Sequence, residues 1–443
     1  MLFRRNVEVS LESWKENPNR KPLVVMGARQ VGKTTLIQSF GKDNYNDVAY
    51  YNFELNQELH DFFELNKDPE RIIESLTLFR GKAIDIEKTL IIFDEIQECQ
   101  KALTALKYFQ EADTKYNLIA AGSLLGITLG KVHSFPVGKV EFLDLSPLSF
   151  EEYLLNTNDK LYKTYVHYLH EKTLGKIPKA FFEPLLNEFK TYLICGGMPE
   201  PASIFSDTKD IGKLQKVQDE ILRSYQLDFS KHTSPINANR IQYVWKSITS
   251  QLSKENKKFI YKAVKKGARA REYEAAITWL QQAGIIHQIY NVTNPSLPLS
   301  AYRDLSAFKM YLLDVGLLMR MSKLNPSALI NGNDLFKEFK GSFTENYVAQ
   351  SLANSLGNEP NYWTSDRTAE VDFLIEHENQ IIPIEVKSGK ATRSRSLAEY
   401  NKKYKPKIRV RLSPLNIETD GAFINIPIFY CDNIIEFISK YAF

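Results

Sequence analysis

Cysteine is scarce in this chain: its 443 residues hold three, Cys99, Cys195 and Cys431, each far from the others. They supply neither a Cys-x-x-Cys pair for zinc nor a disulfide framework, and so fit a reducing compartment. Long apolar runs are also missing. None approaches the roughly 18 residues that cross a bilayer, and the opening MLFRRNVEVS has neither the apolar stretch nor the small-residue cleavage site of a signal peptide. The expectation is a cytoplasmic protein with no membrane partner. The seven histidines are scattered, and the one close pair, His167 and His170, stands in a Leu/Tyr-rich helical stretch without a third ligand nearby. Charge of one sign is lacking too: 57 Lys and Arg face 53 Asp and Glu, and a net +4 does not mark a nucleic-acid binder. The distribution says more. From Lys387 to Arg411 there are ten basic residues and a single acid, Glu399, and eight basic residues run from Lys254 to Arg271. A charge run is usually a solvated face, but both of these could also grip a phosphate backbone.

What is present is sharper. Lys21 to Phe40 reads KPLVVMGARQVGKTTLIQSF, an apolar strand, then Gly-x-x-x-x-Gly-Lys-Thr, then a helical pattern. That is the context of a phosphate-binding loop for ATP. Gly27 and Gly32 let the backbone curl until its N–H groups face phosphate oxygens, and the following helix adds its positive end. Lys33 is placed to reach the β- and γ-phosphates, Thr34 to hold Mg2+ and Thr35 to bond the α-phosphate. Arg29, inside the loop, is open to two readings, nucleotide contact or bracing.

Such a loop needs a carboxylate at the end of a neighbouring strand, and TLIIFDEIQ (residues 89–97) supplies it. Asp94 is the expected Mg2+-side acid and Glu95 the group that polarises the attacking water. Further strand signals at 48–54, 117–121 and 140–145 put the acidic pair on the third strand of a βαβ series. Ser123, ending NLIAAGS, is the candidate γ-phosphate sensor, although Gly-Ser is also a common strand-ending turn. Ser149 and Glu152 in SPLSFEEYLL form a capping box, and the helices that follow stop at Gly196-Gly197-Met198-Pro199-Glu200. A helical lid beside a P-loop sheet is the layout of an AAA-type ATPase. Three helical patterns at 240–252, 257–266 and 269–283, then a β-rich stretch, suggest a winged helix whose third helix presents Arg269 and Arg271 to a groove.

The last constellation is Glu370 and Asp372 in AEVDFLI with Glu385 and Lys387 in IIPIEVKSG. As two strands joined by a turn at His377-Glu378, residue 370 would face residue 385, with Asp372 diagonally beside it. Two carboxylates and a lysine on one face suit metal-dependent phosphodiester cleavage, with the acids as metal ligands, and Glu345 of KGSFTEN could join them. The bland alternative is a hairpin whose outer face is charged for solubility.

The segments GARQVGKTT, LIIFDEIQ, SPLSFEEYL, GGMPE, KGSFTEN, EVDF and IEVKSG, spread over almost the full length, resemble a family of prokaryotic AAA-type ATPases. Those proteins join the ATPase to a C-terminal domain of unknown function that looks like the PD-(D/E)xK nuclease fold. The resemblance implies the same roles for Lys33, Thr34, Asp94 and Glu95, and catalytic or metal-binding roles for Asp372, Glu385, Lys387 and Glu345. Gly138-Lys139 stands where the family has Gly-Arg, which removes an arginine-finger candidate. The expected fold is multidomain α/β. It comprises a P-loop core (1–148), a helical lid (149–236), a winged-helix-like domain (237–322) and a restriction-endonuclease-like domain (323–443). The expected function is ATP hydrolysis coupled to a DNA-directed C-terminal domain that could also cleave DNA, in an oligomer if a neighbour's arginine completes the site. The alternative is a nucleotide-switched regulator whose nuclease-like domain is a silent module for a protein partner.

Overall fold

Five short apolar segments, β1 (Leu23–Met26), β2 (Asp47–Asn52), β3 (Thr89–Asp94), β4 (Leu118–Ala121) and β5 (Glu141–Asp144), pair as an all-parallel sheet in the order β2-β3-β4-β1-β5. The acid strand β3 is therefore not next to the loop strand β1, as the sequence suggested. β4 lies between them. Buried on both faces, β3 and β4 read as continuous apolar runs, as central parallel strands must. Phe93 packs edge-to-face against Tyr51, Phe53, Phe63 and Phe109 in the core beside them.

This computed structural model describes residues 3–129, 138–171, 175–231, 233–254, 257–326, 337–365, 369–389 and 394–442. The chain divides into two compact units, residues 1–146 with 282–284, and residues 147–281 with 285–443. The first unit holds the parallel sheet. Among the described residues no helix is long and apolar enough to cross a membrane.

The second unit is built on eight mixed strands. These are β6 (Ile286–Val292), β7 (Arg303–Leu312), β8 (Asn361–Thr364), β9 (Glu370–His377), β10 (Gln380–Val386), β11 (Arg409–Ser413), β12 (Glu418–Asp420) and β13 (Phe423–Pro427), ordered β12-β13-β11-β10-β9-β8-β6-β7. The hairpin read as a wing, β6–β7, forms two strands at one end of this sheet. The expected helix over 257–266 shrinks to one turn, Tyr261–Val264. Its first residues are drawn out as Lys258 bridges Lys309 and the Phe259 N–H donates to the Phe308 carbonyl at 2.8 Å. The β9–β10 turn is Glu378-Asn379, not His377-Glu378, with both residues at positive φ (47° and 57°) and Gln380 opposite His377. Asparagine tolerates that region and a two-residue hairpin turn requires it. The register slips by two from expectation, so every side chain keeps its face.

The helices expected as a lid lie in this same unit. The Ser149–Glu152 capping box is present. Asp432 accepts from the Phe150 N–H at 3.0 Å and from the Ser351 hydroxyl at 2.6 Å, and the Tyr165 hydroxyl donates to Asn433 at 2.6 Å. The helix Lys179–Cys195 ends at Gly196 (φ 75°), but Pro199 does not stop the chain there. It occupies the first turn of a new helix, Pro199–Thr208, where its missing N–H costs nothing. The corner is interlocked: Asp314 accepts from the Gly197 N–H at 2.6 Å and caps the helix Val315–Met321 through the Leu317 N–H at 2.9 Å. A Cβ on Gly197 would lie 2.1 Å from the Leu148 oxygen, and one on Gly316 2.6 Å from the Cys195 oxygen.

Gly316→Ala should therefore cost about 3 kcal/mol or more, read as a fall in the urea midpoint of the second unit. Burial pushes Asp314 and Asp432 each up to about 6. A carboxyl whose folded pKa is raised stabilises at low pH and loses that contribution as pH climbs through the folded value. The second unit should accordingly be more stable near pH 5 than near pH 8, and Asp432→Asn should reduce the difference.

Candidate functional site

The loop between β1 and the helix Lys33–Asn44 is set by backbone geometry. Gly27 (φ 142°), Gln30 (66°) and Gly32 (95°) all lie at positive φ, and a Cβ on Gly27 would stand 2.2 Å from the Leu145 oxygen. The helix starts at Gly32 with no side-chain cap, so its first-turn N–H groups stay available to a ligand. Lys33 curls into the loop, donating to the carbonyls of Gly27 (2.9 Å) and Ala28 (2.8 Å). Burial lowers its pKa to about 8, against the pull of Glu95 and Asp94, with the Arg29 charge adding to the fall. A buried ammonium beside an uncapped helix start is a donor set that fits a polyphosphate. Thr35 is exposed on the helix's first turn.

Although β4 intervenes, the loop and the acid strand meet. The Thr34 hydroxyl donates to Asp94 Oδ2 at 2.9 Å, and the Tyr50 hydroxyl donates to the same oxygen at 2.7 Å. Burial, then the bond to Asp94, pushes Tyr50 up to about 12. Glu95 sits at φ 51°, which turns its side chain off the strand. It accepts from Gln97 Nε2 at 2.5 Å and from the Ser123 hydroxyl at 3.3 Å. Ser123 is thus beside the acid expected to handle water. Gln97 leans over Gly122, where a Cβ would meet its Oε1 at 2.1 Å. Sequence reasoning missed Tyr50 and Gln97; the second lies inside the quoted acid segment, two residues past Glu95. Lys139 pairs with Glu111 at 3.0 Å.

The second cluster gathers more residues than the five expected. Glu385 and Lys387 form an ion pair at 2.6 Å, and Asp372 accepts from the Val386 N–H at 2.7 Å. Glu345, from the helix Lys337–Leu356, meets Lys257 at 2.5 Å and the Tyr311 hydroxyl at 3.2 Å. Glu370 pairs with Lys309, whose side chain is fully buried. Burial opposes the Lys309 charge, but Glu370, Glu345 and Asp372 together hold its pKa above the ordinary value. Burial and then the Glu345 charge push Asp372 up to about 7, with Lys309 opposing. The second oxygen of Glu385 is buried with no hydrogen-bond partner. Among the described residues, no three His, Cys, Asp or Glu side chains stand where they could hold a metal ion together. Lys257, Lys309 and Tyr311 carried no signal in sequence: the first sat in a basic run, the others in a strand far from the acids.

Comparison with known proteins finds three family matches along the chain. Residues 19–154 match the family described as AAA domain, residues 186–328 match a domain of unknown function (DUF8612), and residues 340–429 match another (DUF4143). No curated protein matches the chain. Among solved structures, a Walker-type ATPase of Pyrococcus abyssi is similar at 14% identity, covering 72% of this chain and 96% of that one, with a TM-score of 0.46. The ORC1 protein of Aeropyrum pernix, solved in complex with DNA, is similar at 14% identity over 73% and 94%, with a TM-score of 0.29. At these levels neither likeness bears on what the chain does. The AAA match lies over the loop, the acid pair and the parallel sheet that joins them, so residues 19–154 are similar to an AAA-type P-loop ATPase domain.

Proposed function

We propose that the protein hydrolyses ATP through Lys33, Thr34, Asp94 and Glu95 and uses nucleotide state to govern a DNA-directed second unit. The observation that carries the first part is the single oxygen of Asp94 that receives both the Thr34 and Tyr50 hydroxyls. A hydroxyl and a carboxylate held 2.9 Å apart beside a phosphate loop would be the protein's share of a Mg2+ shell. When bound, Mg2+ neutralises phosphate charge. Lys33 exchanges the Gly27 and Ala28 carbonyls for phosphate oxygens, and the uncapped helix start adds N–H donors. Two hydroxyl donors already occupy Asp94 Oδ2. Glu95 is the group left to take a proton from water, and Gln97 and Ser123 fix where its oxygens point.

The basic run around the short helix Tyr261–Val264 supports the DNA part. Lys258, Lys262, Lys265, Lys266, Arg269 and Arg271 are exposed, the last two at the start of the helix Ala270–Gln282. Cations there sit against the positive end of the helix dipole, so an anionic partner is favoured. Tyr243 is also exposed, with the Lys265 ammonium 5.5 Å from its ring centre, and so offers a face for stacking. In the later run, Arg395, Lys402, Lys403, Lys405 and Lys407 are exposed, whereas Arg411 is buried against Asn425. Lys390 and Arg393 lie outside the described residues.

Glu95→Gln should keep ATP binding and lower turnover about 100-fold or more, and an unchanged rate would remove Glu95 from its role. Gln97→Ala should lower kcat about tenfold, the loss of one charge-assisted hydrogen bond, while KM for ATP stays put. A change in KM alone would instead make Gln97 a structural residue. DNA affinity, measured by fluorescence anisotropy, should fall steeply with salt. Replacing Lys262, Lys265, Arg269 and Arg271 with alanine should flatten that slope by about 3 to 4 and leave basal ATP turnover unchanged. A slope that the replacement does not move would place any DNA contact elsewhere.

A further inference from the structure

The acid–lysine face of the second unit looks at first like a place for a divalent ion, yet its carboxylates already have cations. Glu345 has Lys257, Glu370 has Lys309 and Glu385 has Lys387, each as a direct ion pair. Asp372, the one acid without a lysine of its own, accepts a backbone N–H. Lys309 is decisive. It lies in β7 with no exposed side-chain surface, its ammonium 4.9 Å from the ring centre of Tyr362 and paired with Glu370 on β9. A solvent-facing lysine could swing away from an arriving metal. Lys309 has no such route, and its ammonium acts electrostatically on Glu345 and Asp372 as well as Glu370. A dication among those acids would face a buried positive charge at close range, where low dielectric strengthens repulsion.

The elements that supply the lysines are joined to the sheet by other bonds. Lys257 sits at positive φ (49°) immediately before the Lys258–Lys309 bridge and the Phe259–Phe308 backbone bond, which tie its segment to β7. Asn346 bonds both the N–H (2.7 Å) and the carbonyl (2.9 Å) of Leu312, which pins the Glu345 helix to the strand carrying Lys309 and Tyr311. We propose that the buried ammonium of Lys309, with that of Lys257, takes the place of a divalent metal among Glu345, Glu370 and Asp372. The face is then a metal-independent clamp that fastens the basic segment and its hairpin to the helix Lys337–Leu356 and to β9. The unpartnered oxygen of Glu385 does not change this: it is one acceptor, whereas a divalent ion gathers several oxygens at once. Buried charges of this sort hold a structure in register, and deleting one partner leaves the other uncompensated. This inference is independent of the nucleotide reading, because its test disables the ATP site.

The test uses full-length, nucleotide-free protein carrying Asp94→Asn, with Mn2+ as the probe followed by electron paramagnetic resonance and thermal melting. The expected result is no bound Mn2+ that a further Asp372→Asn, Glu345→Gln or Glu385→Gln removes, and a Tm unmoved by Mn2+ or EDTA. One Mn2+ per chain that disappears with Asp372→Asn would overturn the proposal, whatever the lysine variants do. Lys309→Met should lower Tm by about 5 °C or more, and added Mn2+ should restore part of the loss in that variant alone. An unchanged Tm in Lys309→Met would equally overturn the clamp. If Lys309→Met does not fold, Lys257→Met is melted in its place, with the same two readings.

Discussion

A carboxylate that never meets water, that of Asp314, sets the geometry of the second unit. It stands two residues beyond β7, accepts the Gly197 and Leu317 N–H groups, and leaves no room for a side chain at Gly196, where a Cβ would be 2.2 Å from its Oδ1. Three consequences follow. The helix Lys179–Cys195 has to end where it does. The helix Val315–Met321 can press its Gly316 backbone onto Cys195, and Gln218 can then donate to the carbonyls of Ile194 and Gly316 at 3.0 and 3.3 Å. The end of β7 becomes fixed, so that Asn346 can grip Leu312. The positions of Lys309 and Tyr311 on that strand, and of Glu345 on the facing helix, depend on the same carboxylate. Burying Asp314 is costly, which is why its carboxyl is pushed up to about 6, and the backbone N–H groups around it offset the cost.

The first unit depends on a different device. Its loop is held open by glycine geometry, and its acids are met by neutral donors: hydroxyls on Asp94, an amide and a hydroxyl on Glu95. Lys33 meanwhile bonds carbonyl groups and makes no ion pair with either acid. Neutral partners orient a carboxylate without cancelling its charge. Asp94 is therefore aligned, almost fully buried at 2% exposure, and still attractive to a cation.

The parts of this arrangement that could be read from sequence are those made by neighbours in the chain. Strand, Gly-x-x-x-x-Gly-Lys-Thr and helix lie within twenty residues, and Asp94-Glu95 closes a single apolar strand, so loop chemistry and strand burial together pointed to the site. Tyr50 was hidden because its strand alternates like any other and only the β2–β3 pairing, which sets Asn52 beside Asp94, brings it near. The β9–β10 face was legible as alternation, but the register was not. Either turn preserves parity, and only the left-handed backbone at Glu378 and Asn379 decides between them. Lys257 and Lys309 were out of reach altogether. Their ion pairs span 88 and 61 residues, and the helical pattern over 257–266 concealed the left-handed backbone at Lys257 (φ 49°) and the bridge from Lys258 to Lys309 that follows it.

The two acid clusters of this one chain therefore differ in a way that residue types alone do not reveal. Each has carboxylates at strand ends, and each has a lysine nearby. In the first unit the lysine is directed at the loop and the acids are met by neutral donors; in the second, three acids each hold a lysine and the fourth holds a backbone N–H. An ammonium on a carboxylate does locally what a metal ion would do, but it brings no open coordination position and cannot acidify water. Where a buried lysine sits in the middle of such a cluster, the same acids that would serve hydrolysis serve cohesion instead.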